Sequence, residues 1–510
     1  MSRETLLAAI DAGTSTTRAC VFTSAGALAG EVAVPVTLSH PAPGWAEQPA
    51  EVLAETACEA LRGVARLVDA SAIEAIGITG QMGGLVLVDD DGRAVSPHQS
   101  WLDGRAAAAV DRALEAEGDR LLALGGIPPY LAPKAAWWRR ERPDVYGRAR
   151  RMVMASGYIA LRLGDSDAGG AIVDRSSSGF VGLFDVQSGV VAPELCELWG
   201  VPESLAPRVV PAGEVVGRLG RDASERTGIP AGVPLVAAPG DGPAGWLGVG
   251  AVDPGVTVDT SGTSDHIGIC GTRFAPDAKG RVLICLPSGV EGLWHLQGYT
   301  SGTGLTHRWF LDAFPFGGGL PEAERLAELL PAGSEDLVCI PHFGGRVCPY
   351  QPAVSGVWVG ITWRHRHEHF YRALLESVAY EYACYLEAAR RTDPGYLASE
   401  VRVIGGGAAS ALWTRIKADV LGVPFALMEE QNYTSWGAAL AAGVGVGVLD
   451  DLAGSARSAA HVREVVTPDP AATASYRGLV EIYQDLYPAL GETFGALWER
   501  RMSSSQRAGL

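Results

Sequence analysis

Two stretches of this chain end an apolar run in aspartate and pass at once into glycine and hydroxyls. LLAAIDAGTSTTRACVF carries Asp11 ahead of Gly13, Thr14 and Ser15, and GVTVDTSGTSDHIGIC carries Asp259 ahead of Ser261, Gly262 and Thr263. Turns of this kind offer backbone N–H groups and hydroxyl oxygens to an anion, and an adjacent carboxylate can hold a hydrated cation that bridges phosphate oxygens. Two such turns facing one another could clasp a nucleoside triphosphate. A third carboxylate, Asp241, stands among Gly240 and Gly242 where the apolar run GVPLVAAPG stops. A carboxylate placed there could take the proton of a hydroxyl that attacks a γ-phosphate.

Competing phosphate and metal motifs do not account for these residues. GxxxxGK[ST] is absent and no Gly-Lys dipeptide occurs, so this is not a P-loop. GVGAVDPG follows a helical run rather than a strand, which removes a Rossmann site. His365, His367 and His369 alternate in WRHRHEHF, but they open an amphipathic helix and read as a solvated helix entry. Eight cysteines are scattered without a CxxC pair, as expected of reduced thiols packed as small apolar groups in a cytosolic protein.

The elements that must position these residues are legible in outline. Apolar runs on either side of the first turn read as a hairpin, extended by a third strand LAGEVAVPV. The segment after PGWAEQPAE repeats apolar residues at helical spacing, and IEAIGITG reads as a buried strand. The second half repeats this logic, which implies a duplicated fold with a boundary near residues 250 to 255. HFYRALLESVAYEYACYLEAARR sets Phe370, Leu374, Val378, Tyr382 and Tyr385 on one helical face. VRVIGGGAASALWTRIKADVLGVPFALME reads as strand, triple-glycine turn, helix and strand.

Composition narrows the partners. A net charge of −17 with no dense basic block argues against nucleic acid. The Gly-rich run WGAALAAGVGVGVL is too short to span a bilayer, and MSRETLLAAID lacks the pattern of a signal peptide. Lysine occurs only at 134, 279 and 417 among 41 basic residues, which reads as compositional bias.

Taken together, IDAGTSTTRACVF, PGWAEQPAE, GITGQMGGLVLVDDDG, SWLDGRA, GLFDVQSG, DTSGTS, HFYRALLESVAYE and GGGAASALWTRIKADVLGVP resemble the FGGY carbohydrate kinases, with xylulokinase-like members nearest in pattern. The resemblance implies an α/β chain of two ribonuclease H-like (actin-like ATPase) domains, each a mixed five-stranded sheet flanked by helices, with a cleft between. They would span residues 1–250 (sugar and base) and 251–510 (ATP), with a helical tail from about 450. It assigns the ATP phosphates to Gly13, Thr14, Ser15, Ser261, Gly262 and Thr263, and Mg²⁺ to Asp11. Asp241 matches the family's catalytic base, seven residues before Gly248-Val249-Gly250. Gly405, Gly406 and Gly407 match the turn beneath the adenosine, and EEQNYTSWGAALAA the helix closing that pocket.

For the sugar, the resemblance points to Gln81, Met82, Gly83 and Gly84 and to Trp101, Asp103 and Arg105, although Asp103 and Arg105 also suit a surface ion pair and Trp101 suits packing. The sequence departs from xylulokinase-like members at Gly83, where they carry His, at Gly242, where Asn is common, and at Gln351-Pro352, where Asp-Pro is usual. The expected activity is ATP-dependent phosphorylation of a primary hydroxyl of a ketose, such as D-xylulose, or of a polyol, by a cytoplasmic monomer or homodimer. A sugar-binding regulator and a non-kinase ATPase of the same superfamily are the alternatives.

Overall fold

The run at residues 6–12 is apolar throughout because both of its faces are covered. Leu6, Ala8 and Ile10 enter one core, and Leu7 and Ala9 enter another on the opposite face of the sheet. The computed structural model describes residues 4–262, 264–429 and 432–508.

In the first half, β1 (Leu6–Ala12), β2 (Thr16–Thr23) and β3 (Leu28–Pro35) form the antiparallel meander read from the sequence. Helix α1 (Glu51–Ala65) follows, and β4 (Ile73–Gly80) returns parallel to β1. Helices α2 (Ala107–Gly125) and α3 (Leu131–Glu141) belong to an inserted layer, after which β5 (Val215–Arg218) and β6 (Pro234–Ala237) complete the sheet in the order β5-β6-β4-β1-β2-β3. The five expected strands are therefore joined by an added edge strand. Helix α4 (Asp241–Gly248) closes this half.

The second half repeats the plan. Its strands are β7 (Val256–Ser261), β8 (Asp265–Gly271), β9 (Ile284–Pro287) and β10 (Trp294–Thr300), followed by helix α5 (His367–Thr392). Then come β11 (Glu400–Ile404), α6 (Ala411–Leu421), β12 (Phe425–Met428), α7 (Tyr433–Gly445), β13 (Val462–Val466) and α8 (Pro470–Ala508). The sheet runs β9-β10-β8-β7-β11-β12-β13, five strands with one added at each edge. The region after residue 450 is thus not helical throughout, since β13 pairs with β12.

Two helices cross between the halves. On α4, Trp246 packs with Val256, Val258, Ala426 and Met428 of the second sheet. On α7, Trp436, Ala438 and Ala442 pack with Leu7, Ala9 and Ala75 of the first. A sequence boundary near 250 therefore divides the strands but not the helices. The crossing is possible because the residues are small: a Cβ on Gly437 would lie 1.9 Å from the Ala244 carbonyl oxygen, and one on Gly77 would lie 2.1 Å from that of Ala438. A second bridge joins the halves at β9, where Cys285 N donates to the Gly126 carbonyl and Arg281 reaches Asp119 and the Leu114 carbonyl. Among the described residues no helix is long and apolar enough to cross a membrane.

Candidate active site

The first hairpin turns tightly, with Gly13 N donating to the Thr16 carbonyl at 3.0 Å. Asp11 lies at the end of β1, opposite Arg18 on β2 and Thr79 on β4. Its Oδ1 is buried and has no hydrogen-bond partner. Burial pushes its carboxyl up to about 6, against the pull of Arg18. A buried carboxylate oxygen without a donor suits a cation, so the residues fit the ion that the sequence implies. Beyond Asp11, the Thr14 hydroxyl accepts from Trp101 Nε1 at 2.9 Å, and Ser15 is exposed. Trp101 is thus not simple packing, since its indole N–H ties the 101–105 segment to this turn while the ring stays partly exposed.

Asp241 opens α4, and Gly240 occupies the cap position with no side chain to fill it. The Asp241 carboxylate accepts from the adjacent Gly242 N, at 2.8 Å. Burial, the nearby charge of Asp11 and that of Asp174 raise its pKa to about 7. A carboxyl group tuned this way can hold or release a proton near neutral pH, as general-base work requires.

Asp174 was not singled out from the sequence. It is buried, and its Oδ1 accepts from the Ser176 hydroxyl, from Ser177 N and from Gly240 N at 3.2 Å. The Ser176 hydroxyl also accepts from Gly240 N at 3.0 Å. Asp174 thereby fixes the peptide immediately before Asp241. The available signal was an aspartate followed by three serines in VDRSSSG, which resembles any polar turn until Gly240 is brought to it.

The 81–84 loop touches both carboxylate elements. Gln81 Nε2 donates to the Gly13 carbonyl at 3.3 Å, and its buried Oε1 is left without a donor. Met82 presses on the base loop so closely that a Cβ on Gly240 would lie 2.5 Å from its Sδ. Gly83 has φ +78°, and a Cβ there would lie 2.9 Å from Tyr130. The histidine of xylulokinase-like members is therefore excluded at position 83 by backbone conformation and by the Tyr130 ring. Gly84 is packed against the buried His98 ring, whose pKa burial lowers to about 3. Gly242, by contrast, faces open space.

Asp103 and Arg105 are not a surface pair, since both side chains are essentially buried. Asp103 accepts from Ala46 N at 2.8 Å and from Arg105, while the guanidinium also reaches Glu47 and lies 4.0 Å from the Trp45 ring centroid and 5.1 Å from that of Trp137. These contacts hold the 101–105 segment in place.

The second hairpin is not the electrostatic twin of the first. Asp259 is fully buried, accepts from Tyr382 of α5 at 2.7 Å and pairs with Lys417 of α6 at 2.7 Å. The Ser261 hydroxyl donates to Asp259 and accepts from Lys417, so it is committed inward. Gly262 N meets Asp265 Oδ1 at 3.0 Å, and Thr263 lies outside the described residues. Burial raises the Asp265 carboxyl above the usual carboxylate range. The triple-glycine turn is pressed onto this hairpin. Cβ atoms on Gly405 (φ +89°) and Gly407 would lie 2.3 Å from the Ser261 carbonyl oxygen and 2.4 Å from its Cβ, whereas Gly406 is open.

Two further sequence features settle as local structure. His365 bonds to Thr362 N, His369 accepts from Arg366 N at the start of α5, and His367 packs on Phe316. Gln351 pairs through its backbone with Arg346, whose guanidinium is held by the buried Glu381.

Two mixed sheets with exchanged helices, each presenting a β-hairpin turn, and a tuned carboxylate on the connecting helix define a two-domain phosphotransferase of the actin-like ATPase fold. The chain belongs to the FGGY family of carbohydrate kinases, which are ATP-dependent. The family's N-terminal domain matches residues 6–248 and its C-terminal domain residues 259–446. It is 33% identical to a glycerol kinase of Aromatoleum aromaticum over 93% of this chain and 98% of that protein. It is 29% identical to an autoinducer-2 kinase of an Enterobacter species over 94% of each. The crystal structure of xylulose kinase from Rhodospirillum rubrum matches with a TM-score of 0.86 at 28% identity, covering 96% of this chain and all of that one.

Proposed function

We propose that this kinase phosphorylates a primary hydroxyl of a small ketose, with a ketopentose such as D-xylulose the first to test, or of a polyol, with Asp241 as the base. The observation that supports this reading most is the Asp241 carboxyl, raised to about 7 beside Asp11 and standing outside the cap position of its helix. The substrate hydroxyl donates to Asp241, and the unpartnered Gln81 Oε1 accepts from a second hydroxyl. As the hydroxyl oxygen bonds to the γ-phosphorus and the bond to the β-phosphate oxygen breaks, the hydroxyl proton passes to Asp241 and ADP leaves. Asp11 would hold Mg²⁺, with Thr14 and Ser15 beside it, and the ion would supply charge neutralisation on the phosphates. Gly262, Gly405, Gly406 and Gly407 offer backbone to the nucleotide from the second half.

The test is ADP release with Mg·ATP across ketopentoses, ketohexoses, a ketoheptose and small polyols, with Asp241→Ala in parallel. Stimulation by one sugar, lost in the variant, is the expected result. A flat response with ATP still bound would favour a sugar-binding regulator.

A further inference from the structure

The strongest unassigned feature is a buried cation. Lys134 on α3 is 2% exposed. Its ammonium donates to the Gly83 carbonyl at 2.9 Å and to the Ser100 carbonyl at 2.6 Å. These carbonyls belong to two loops whose backbones pair at Leu85 and Gln99, and the ammonium ties them together again one or two residues beyond that bridge. No ion pair joins Lys134 to a carboxylate among the described residues. Asp103 is already occupied by Arg105 and Ala46 N. The Tyr130 ring, 5.7 Å from Nζ to its centroid, borders the ammonium. Burial lowers its pKa to about 7, so keeping an amine here works against desolvation.

The scarcity of lysine now acquires a meaning. In a chain that places arginine at almost every basic position, two of the three lysines, Lys134 and Lys417, are buried. A compact ammonium can share itself between two carbonyl oxygens, whereas a guanidinium would bring five donors in a rigid plane and leave several unsatisfied. Gly83 cannot carry a side chain, so its backbone must be held by something outside its loop.

We infer that Lys134 is a positioning residue for the carbohydrate, joining the Gln81–Gly84 loop to the Ser100–Arg105 segment so that both meet the substrate in one arrangement. The inference rests on the proposed sugar site between these loops. Both hydrogen bonds of Lys134 go to the substrate loops rather than to the residues proposed for the nucleotide, which lie on the second sheet and the first hairpin. Sugar hydrogen bonds lost when the two loops no longer present one arrangement cost roughly tenfold in affinity, which sets the scale of the effect.

The experiment compares Lys134→Met, Lys134→Arg and Gln81→Ala for sugar kcat and KM, ADP affinity by calorimetry and folding by circular dichroism. Lys134→Met and Lys134→Arg are both expected to lower sugar kcat/KM at least ~10-fold, mainly through KM, with ADP affinity within ~2-fold of the parent. Normal sugar KM in both Lys134 variants, with a raised KM in Gln81→Ala, would overturn the role of Lys134 alone. Normal KM in all three would overturn the sugar site and this inference with it. Equal losses toward sugar and ADP would show a merely structural lysine and overturn the inference. Should Lys134→Met fail to fold, Lys134→Arg, which keeps the charge and stem, decides by the same readings.

Discussion

Lowering the pH from about 8 to about 6 is expected to cut sugar kcat/KM roughly tenfold at saturating Mg·ATP, through protonation of Asp241. Its carboxyl is raised from the ordinary 3.8 to about 7, first by burial and then by the charge of Asp11, against backbone N–H groups, Gly242 foremost, that favour the anion. The sign follows from the role: the ionised form is the base, so activity is present above the raised pKa and lost as pH falls through it. Ionisation is about nine-tenths complete one unit above the pKa and about one-tenth complete one unit below it, which gives the factor of about ten. Asp241→Asn should lose ~10²–10⁴ in kcat, about 3–5 kcal/mol of barrier, and the acid limb should vanish with it. In Asp11→Asn, where a like charge is removed, the Asp241 midpoint read from carboxyl carbon shifts in NMR should move down. A flat profile across this range, or a limb that persists in Asp241→Asn, would refute the reasoning.

Lys417→Met leaves Asp259 buried without its cation, and a loss of about 3–5 kcal/mol is expected, seen as a lower denaturant midpoint. Asp259→Asn added to Lys417→Met should recover part of that loss. Gly405→Ala combines a positive φ with a 2.3 Å approach to the Ser261 carbonyl and should weaken ADP binding in calorimetry, whereas Gly406→Ala, which meets open space, should leave the fold's thermal midpoint unchanged. Gly83→His should not create a better xylulose kinase: the Tyr130 ring 2.9 Å from the new Cβ would displace the loop, and sugar KM should rise.

Much of the first and second hairpins was legible because it is written locally. An apolar run, a turn built on Gly13 and a second apolar run specify β1 and β2 within 18 residues, and the same signals specify β7 and β8. The α5 core face was likewise carried by spacing, with Val378, Tyr382 and Tyr385 buried as the helical period implies. Asp174 was not legible, because its partner Gly240 lies 66 residues away and no local pattern distinguishes it from a turn former.

The sequence by itself determined the elements, the duplication and the position of the tuned carboxylate, since propensity, turn chemistry and periodicity act over a few neighbouring residues. Only the tertiary structure decided that α4 and α7 are exchanged between the sheets, a choice made by close approach at Gly77, Gly248 and Gly437 rather than by any local preference. It also decided the electrostatics. Asp11 and Asp259 occupy equivalent places in two similar strings, yet Lys417, 158 residues beyond Asp259, neutralises one and leaves the other free to meet a cation. Charge balance and desolvation depend on which distant side chains arrive at a site, and that is settled only when the chain has folded.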